Sequence, residues 1–181
     1  MSAITTPATI ETSPTASQPL LQAVQKQLGS VPNMFRVIGH SPAALEGYLG
    51  LSGALGKGKL DARTRARIAM VVAETNGCDY CLSAHAYLGK NLQKLDEAEL
   101  ARNRDATSSD PRAAAAVRFA AEVVRARGRV SDVQREALRA AGYDDAEIIE
   151  IVLHVALNTL TNYVNLVAGT DIDFPLVSHR A

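Results

Sequence analysis

The sequence predicts an all-α chain, and three observations carry that prediction. Helix start and stop signals recur along its length, no stretch alternates apolar and polar residues convincingly, and aromatic residues are scarce. With three Phe, five Tyr and no Trp, the core must be built from Ala, Leu, Val and Ile, which suits close helix–helix packing. A length of 181 residues fits one compact domain with a substantial core. Residues 1–16, rich in Thr, Ser, Ala and Pro, read as a flexible tail, and residues 17–181 as a single helical domain.

Taken in order, the first helix runs from Leu20 to Leu28 and stops at Gly29. Val31-Pro32-Asn33-Met34-Phe35 reads as a turn carrying two large apolar anchors. Ser41-Pro42 opens a helix to about Leu55, the hydroxyl capping it and Pro taking the first helical position. Ala62–Thr75 is strongly helical, and Asn76-Gly77 is a good stop because both residues tolerate positive φ. A new helix starts at Cys78-Asp79 and ends near Gly89, and a short one follows Asp96, where Glu99 supplies a capping-box-like partner. Asp110-Pro111 opens a helix to about Arg127, and Ser131 with Gln134 opens another that Gly142 stops. The last helix, from about Asp145 to Val167, is apolar on nearly all sides, which predicts burial in the domain or between subunits. Glu150, His154, Asn158, Asn162 and Asn165 wind along it as a polar stripe. These signals give about seven or eight helices.

Bulk charge narrows the function. Lys+Arg and Asp+Glu both number 19, so the net charge is zero and no electrostatic footprint for nucleic acid or an anionic membrane is expected. Neither a transmembrane run nor a secretory signal is expected, since Glu150 and His154 break the most apolar stretch; a cytoplasmic location follows.

The chemistry concentrates in Glu74-Thr75-Asn76-Gly77-Cys78-Asp79-Tyr80-Cys81-Leu82-Ser83-Ala84-His85. Its two cysteines are the only ones in the chain, and a bridge across so small a ring removes little entropy from the unfolded state. Chemistry explains the pair better than stapling does. Cys78 falls at a helix N-terminus, where free N–H groups and the helix dipole favour a thiolate. Cys81 lies one turn on, within disulfide reach, and His85 one turn further on the same face as a proton acceptor. Glu74, four residues before Cys78, is placed to orient His85 or relay a proton. A thiol pair with a base and a carboxylate can activate a nucleophile and protonate a leaving oxygen or sulfur.

Two blander readings stand beside this one. One takes the cysteines and His85 as plain core residues; the other has them hold a structural zinc with Glu74 or His154 as fourth ligand. Tyr80 and Asp79 are expected to shape the helix start. His154 and Asn158, on the polar stripe, are candidates for the site's surroundings, whereas His40 and His179 have no constellation around them in the sequence.

The segment Ala73–His85 resembles the redox signature of the AhpD-like, carboxymuconolactone-decarboxylase-like superfamily. Val31–Phe35, Ala140-Ala141-Gly142-Tyr143 and Asn162-Tyr163 support the likeness. The resemblance implies an AhpD-like helical bundle, homo-oligomers (trimers or hexamers), and peroxidase activity on organic hydroperoxides through a reversible Cys78–Cys81 disulfide. It implies no bound cofactor or metal, and an external dithiol or lipoylated protein as electron donor. It gives the attack to Cys81, resolution to Cys78 and proton relay to His85, whereas helix position alone favours Cys78 as the thiolate. One departure stands out: the family's relay glutamate, twelve residues before the first cysteine, is Ala66 here. Either Glu74 replaces it or turnover is slow, and the second case favours a redox sensor or disulfide-exchange protein.

Overall fold

Side-chain caps set most of the helix boundaries. The carboxylates of Asp61, Asp96 and Asp110 and the hydroxyl of Ser41 each accept N–H bonds from the first turn of the helix they precede. Ser131 with Gln134 and Asp144 with Glu147 close full capping boxes. The computed structural model describes residues 3–180. Met1 and Ser2 of the expected tail, and Ala181, lie outside that range.

A single 3₁₀ turn, Thr15–Ser17, precedes α1 (Gln18–Leu28), α2 (Asn33–Ile38), α3 (Pro42–Leu55), α4 (Ala62–Thr75) and α5 (Asp79–Asn91). Then come α6 (Glu97–Arg104), α7 (Pro111–Arg125), α8 (Asp132–Ala140) and α9 (Asp145–Ala168). The described residues contain no strand, so the all-α expectation holds, with nine α-helices where the sequence suggested seven or eight. The extra element is α2, read as a turn. It has only six residues, follows Pro32 and has no side-chain cap, so neither periodicity nor a start signal announces it.

Helix α4 is the hub and packs against α5, α6, α7 and α9. Six consecutive residues, Ile68 to Ala73, are buried, which only a helix enclosed on every side allows. One face joins Val117, Phe119, Ala120 and Ile151 in the main core, and the other joins Met70, Leu82, Leu95 and Leu100 around the cysteines. Between α4 and α6 lies a buried ion pair, Arg67 Nε to Glu99 Oε1 at 2.8 Å. Glu99 also accepts from the hydroxyls of Ser108 and Ser109, the Ser109 N–H and the Asn103 amide.

By length and composition α9 could span a bilayer, but half of its most apolar window is buried within the fold, as a central core helix requires. Its outer side leaves Ile149, Leu160, Tyr163 and Val167 exposed.

Both end segments lie against the bundle. Of the segment expected as a flexible tail, Ile4 N–H donates to Ala168 O at 3.0 Å, and the Thr5 and Ala8 carbonyls meet His40 and Arg36. Backbone bonds of this kind leave no apolar period to read. Residues 170–180 cross over α5. Asp173 accepts from Tyr80 Oη–H and Asn33 N–H, both at 2.8 Å, and Val177 N–H donates to Ser83 Oγ at 2.9 Å.

Candidate active site

The thiol pair sits where the chain turns from α4 into α5. Gly77 makes the turn with φ +65°, a left-handed conformation that a side chain would strain. Cys78 N–H then donates to Ala73 O at 3.0 Å, closing the end of α4. Cys78 becomes the N-cap of α5, its Sγ accepting the Cys81 N–H at 3.3 Å. The two sulfurs lie 2.6 Å apart, both free thiols and both almost fully buried. A disulfide between them needs no backbone rearrangement.

Proton preference divides the pair. Cys81 is pushed below the ordinary thiol range by the hydrogen bond from Cys78, which outweighs burial, and further by the Asn165 amide at 3.2 Å. Asn162 and Thr161, also on α9, add to the effect. Cys78 is pushed up by holding the shared proton and by burial. Both directions favour Cys78 as the proton holder and Cys81 as the thiolate, the reverse of the preference that helix position alone gives.

His85 stands one turn beyond Cys81 and faces α9 as well. Burial lowers its pKa to about 4, partly countered by a hydrogen bond with Asn158. Asn158 spends its Nδ2 on His154 O at 2.7 Å, which leaves its Oδ1 to accept an imidazole N–H. The other ring nitrogen then carries the lone pair, and the ring is neutral near pH 7, as a proton acceptor must be. Replacing His85 by Ala should slow peroxide-driven thiol oxidation by roughly a hundredfold. Stopped-flow kinetics at pH 7 checks this, and an unchanged rate would leave His85 a packing residue.

The other expected site residues have different surroundings. The Glu74 carboxylate is held by Arg104 Nε at 2.6 Å and by the Arg180 N–H at 2.8 Å. Tyr80 holds Asp173 and accepts the Met34 N–H at 3.1 Å, tying α2 and the closing segment to α5. His154 is buried beside Arg65 and Glu150; burial, then the Arg65 charge, lower its pKa to about 4. Ala66, at the departed glutamate position, packs against the cysteine cluster.

Sequence reasoning missed Tyr48 and His179 and left Asn162 and Asn165 without a role. Tyr48 of α3 is raised to about 12 by burial and the nearby Cys81 charge. The polar stripe on the last helix was the available signal for the asparagines, since it is the polar side of α9 that meets Cys81 and His85. Nothing local to residues 170–180 announces His179, whose Nδ1 lies 2.6 Å from Asp79 Oδ1.

Two cavities flank this region. One, of ≈320 Å³, is lined by Cys78, Asp79, Asn165, Leu166, Ile172 and His179 among others. The larger, of ≈540 Å³, lies between α5, α6 and the closing segment and is walled by Met70, Tyr87, Leu100 and Val177; neither thiol lines it. Among the described residues, no three His, Cys, Asp or Glu side chains gather in a metal-holding group, so the zinc alternative gains no support.

Fold and site together define an all-helical protein with a paired thiol at a helix start. Residues 42–122, from α3 into α7, match the carboxymuconolactone decarboxylase family. Over 64 residues the chain is 39% identical to an uncharacterized protein of Haemophilus influenzae, a stretch covering 35% of this chain and 51% of that protein. The match thus spans about half of that relative's length. Among solved structures, an uncharacterized peroxidase-related protein of Ralstonia eutropha with an alkylhydroperoxidase AhpD core superposes with a TM-score of 0.83 at 27% identity, covering 95% of this chain and 92% of that one. The debrominase Bmp8, in complex with 2,3,4-tribromopyrrole, shares the fold with a TM-score of 0.80 at 21% identity, covering 96% and 94%. The chain thus carries a segment similar to the carboxymuconolactone decarboxylase family within an AhpD-like fold.

Proposed function

We propose that the chain is a thiol-dependent peroxidase that reduces organic hydroperoxides. The observation that carries this reading is the touching thiol pair, in which the Cys81 sulfur accepts from both Cys78 and the Asn165 amide. The Cys81 thiolate attacks the terminal peroxide oxygen and the O–O bond breaks. The departing alkoxide takes a proton and leaves as the alcohol, with Cys81 oxidised to a sulfenic acid. His85 relays that proton. Cys78 then attacks the sulfenic sulfur, water leaves, and the Cys78–Cys81 disulfide forms. An external dithiol, free or on a lipoylated protein, reduces the disulfide and closes the cycle.

Asparagines take up the polar work that Ala66 cannot do. Asn165 Oδ1 is buried without a hydrogen-bond partner, so an acceptor is left beside Cys81 for the hydroperoxide O–H. Steady-state hydroperoxide consumption with dithiothreitol as donor tests the proposal. Repeated turnover supports it; a single equivalent consumed, with no further loss while reductant remains, supports a redox sensor.

The exposed outer side of α9 suits a second copy of the chain. Ile149, Leu160, Tyr163 and Val167 make an exposed apolar stripe along it. Light scattering should give a trimer or hexamer, and Leu160→Glu should shift it toward monomer. A monomeric wild type would remove this part of the proposal.

A further inference from the structure

The cavity over Cys78 holds a pair of groups that peroxide reduction leaves unused. His179 enters it from the closing segment and is fixed on both sides. Ser178 O accepts from Arg104 Nη2 at 2.7 Å, and the His179 and Arg180 N–H groups donate to Asp79 and Glu74, each at 2.8 Å. Asp79 Oδ1 takes imidazole Nδ1 at 2.6 Å, so the proton sits on that nitrogen and the lone pair on Nε2. The Nε2 edge lies beside Gly77, 3.6 Å from where a Cβ would stand, and therefore next to the residue before Cys78. The charged groups around the ring are Asp79 from α5, Glu74 from α4, Arg104 from α6 and Arg180. Cys78 lines this cavity and Cys81 does not, because Cys81 faces the α9 asparagines. Leu166 and Ile172 give the cavity an apolar wall.

We propose that an aliphatic dithiol enters through this cavity to reduce the disulfide, that Cys78 is the sulfur it attacks, and that His179, positioned by Asp79, is the base that takes its proton. The inference rests on the preceding reading only in needing a Cys78–Cys81 disulfide. The donor thiol passes its proton to His179 Nε2 as its sulfur bonds to Cys78 Sγ. The Cys78–Cys81 bond breaks, and Cys81 leaves with the electron pair as a thiolate stabilised by Asn165. The donor's second thiol loses its proton to water and attacks the donor sulfur already bonded to Cys78. Cys78 is released, takes the proton from His179, and the donor departs as a cyclic disulfide. The protein is reduced by two electrons and the dithiol oxidised by two.

The test starts from protein oxidised with diamide, so that disulfide formation needs no peroxidase chemistry. Reduction by dithiothreitol is followed from pH 6 to 9 by alkylation and mass. His179→Gln should slow it about tenfold or more at pH 7 and leave a rate that rises with the donor's own ionisation. Asp79→Asn should show a smaller loss in the same direction and serves if His179→Gln does not fold. Oxidation by hydroperoxide is read on the same variants, and the loss is expected in reduction alone. Stalling wild-type reduction with a monothiol should place the adduct on Cys78. An unchanged rate and pH profile in His179→Gln, equal losses in both half-reactions, or an adduct on Cys81 would overturn the proposal. If diamide forms no disulfide, this inference and the peroxidase reading fall together. If peroxide fails but reduction depends on His179, only the peroxidase reading falls.

Discussion

Replacing Cys81 by Ser should remove hydroperoxide consumption altogether, and replacing Cys78 by Ser should leave one equivalent consumed, with a sulfenic acid in place of the disulfide. The asymmetry follows from the pair's geometry. Cys81 receives the Cys78 S–H and the Asn165 amide, which on the proposed mechanism makes it the nucleophile, and serine offers none of comparable strength. In Cys78→Ser the thiolate loses the S–H donor that contributes most to its stability, yet Asn165 remains. Cys81 then still reaches the sulfenic acid, which has no second thiol to resolve it. Peroxide consumption by the pre-reduced variants freed of added thiol, with dimedone trapping of the sulfenic acid, separates the two. Retained turnover in Cys81→Ser, or a sulfenic acid trapped on Cys78, would reverse the assignment.

Glu99→Ala should be the most destabilising single change to a polar residue. Its carboxylate is 4% exposed and is the partner of Arg67, which is 5% exposed, so removal strands a buried guanidinium. Breaking such a pair from one side costs about 3–5 kcal/mol. At roughly 2–4 °C per kcal/mol for a domain of this size, the melting midpoint should drop by about 6–20 °C. Burial raises the Glu99 pKa, but donors from Ser108, Ser109 and Asn103 overcome it and hold the carboxyl well below its ordinary 4.5. A carboxyl depressed in the folded state stabilises the fold above its unfolded pKa. That contribution is lost as pH falls from about 4.5 toward the folded pKa, since the unfolded chain binds the proton first. Thermal unfolding at pH 7 and pH 3.5 should therefore show a smaller gap between variant and wild type at the lower pH. A midpoint within 2 °C of wild type at pH 7 would contradict this account.

The parts of this molecule governed by neighbours in sequence were legible from sequence. Ser41-Pro42, Asp110-Pro111, Ser131 with Gln134, and Cys78 all cap the helices they were expected to start. Cys78, Cys81 and His85 fall on one helix, so their shared face followed from spacing. What stayed hidden depends on contacts across long stretches of chain. Cys81 is polarised by Asn165, 84 residues away, and His179 pairs with Asp79, 100 residues away. Glu74 shows the same limit. It sits near the cysteines in sequence, yet Arg104 and the Arg180 N–H claim its carboxylate from segments that no local pattern ties to it. Helix α2 escaped for the opposite reason: at six residues it is too short to display a period.

The most direct test of the central claim treats the reduced protein with one equivalent of an organic hydroperoxide and follows intact mass and free thiols over time. The account predicts the loss of two hydrogens and of both thiols, with Cys78 and Cys81 joined in the product. Thiols that persist in the presence of the peroxide would contradict it and return the pair to the status of buried core residues.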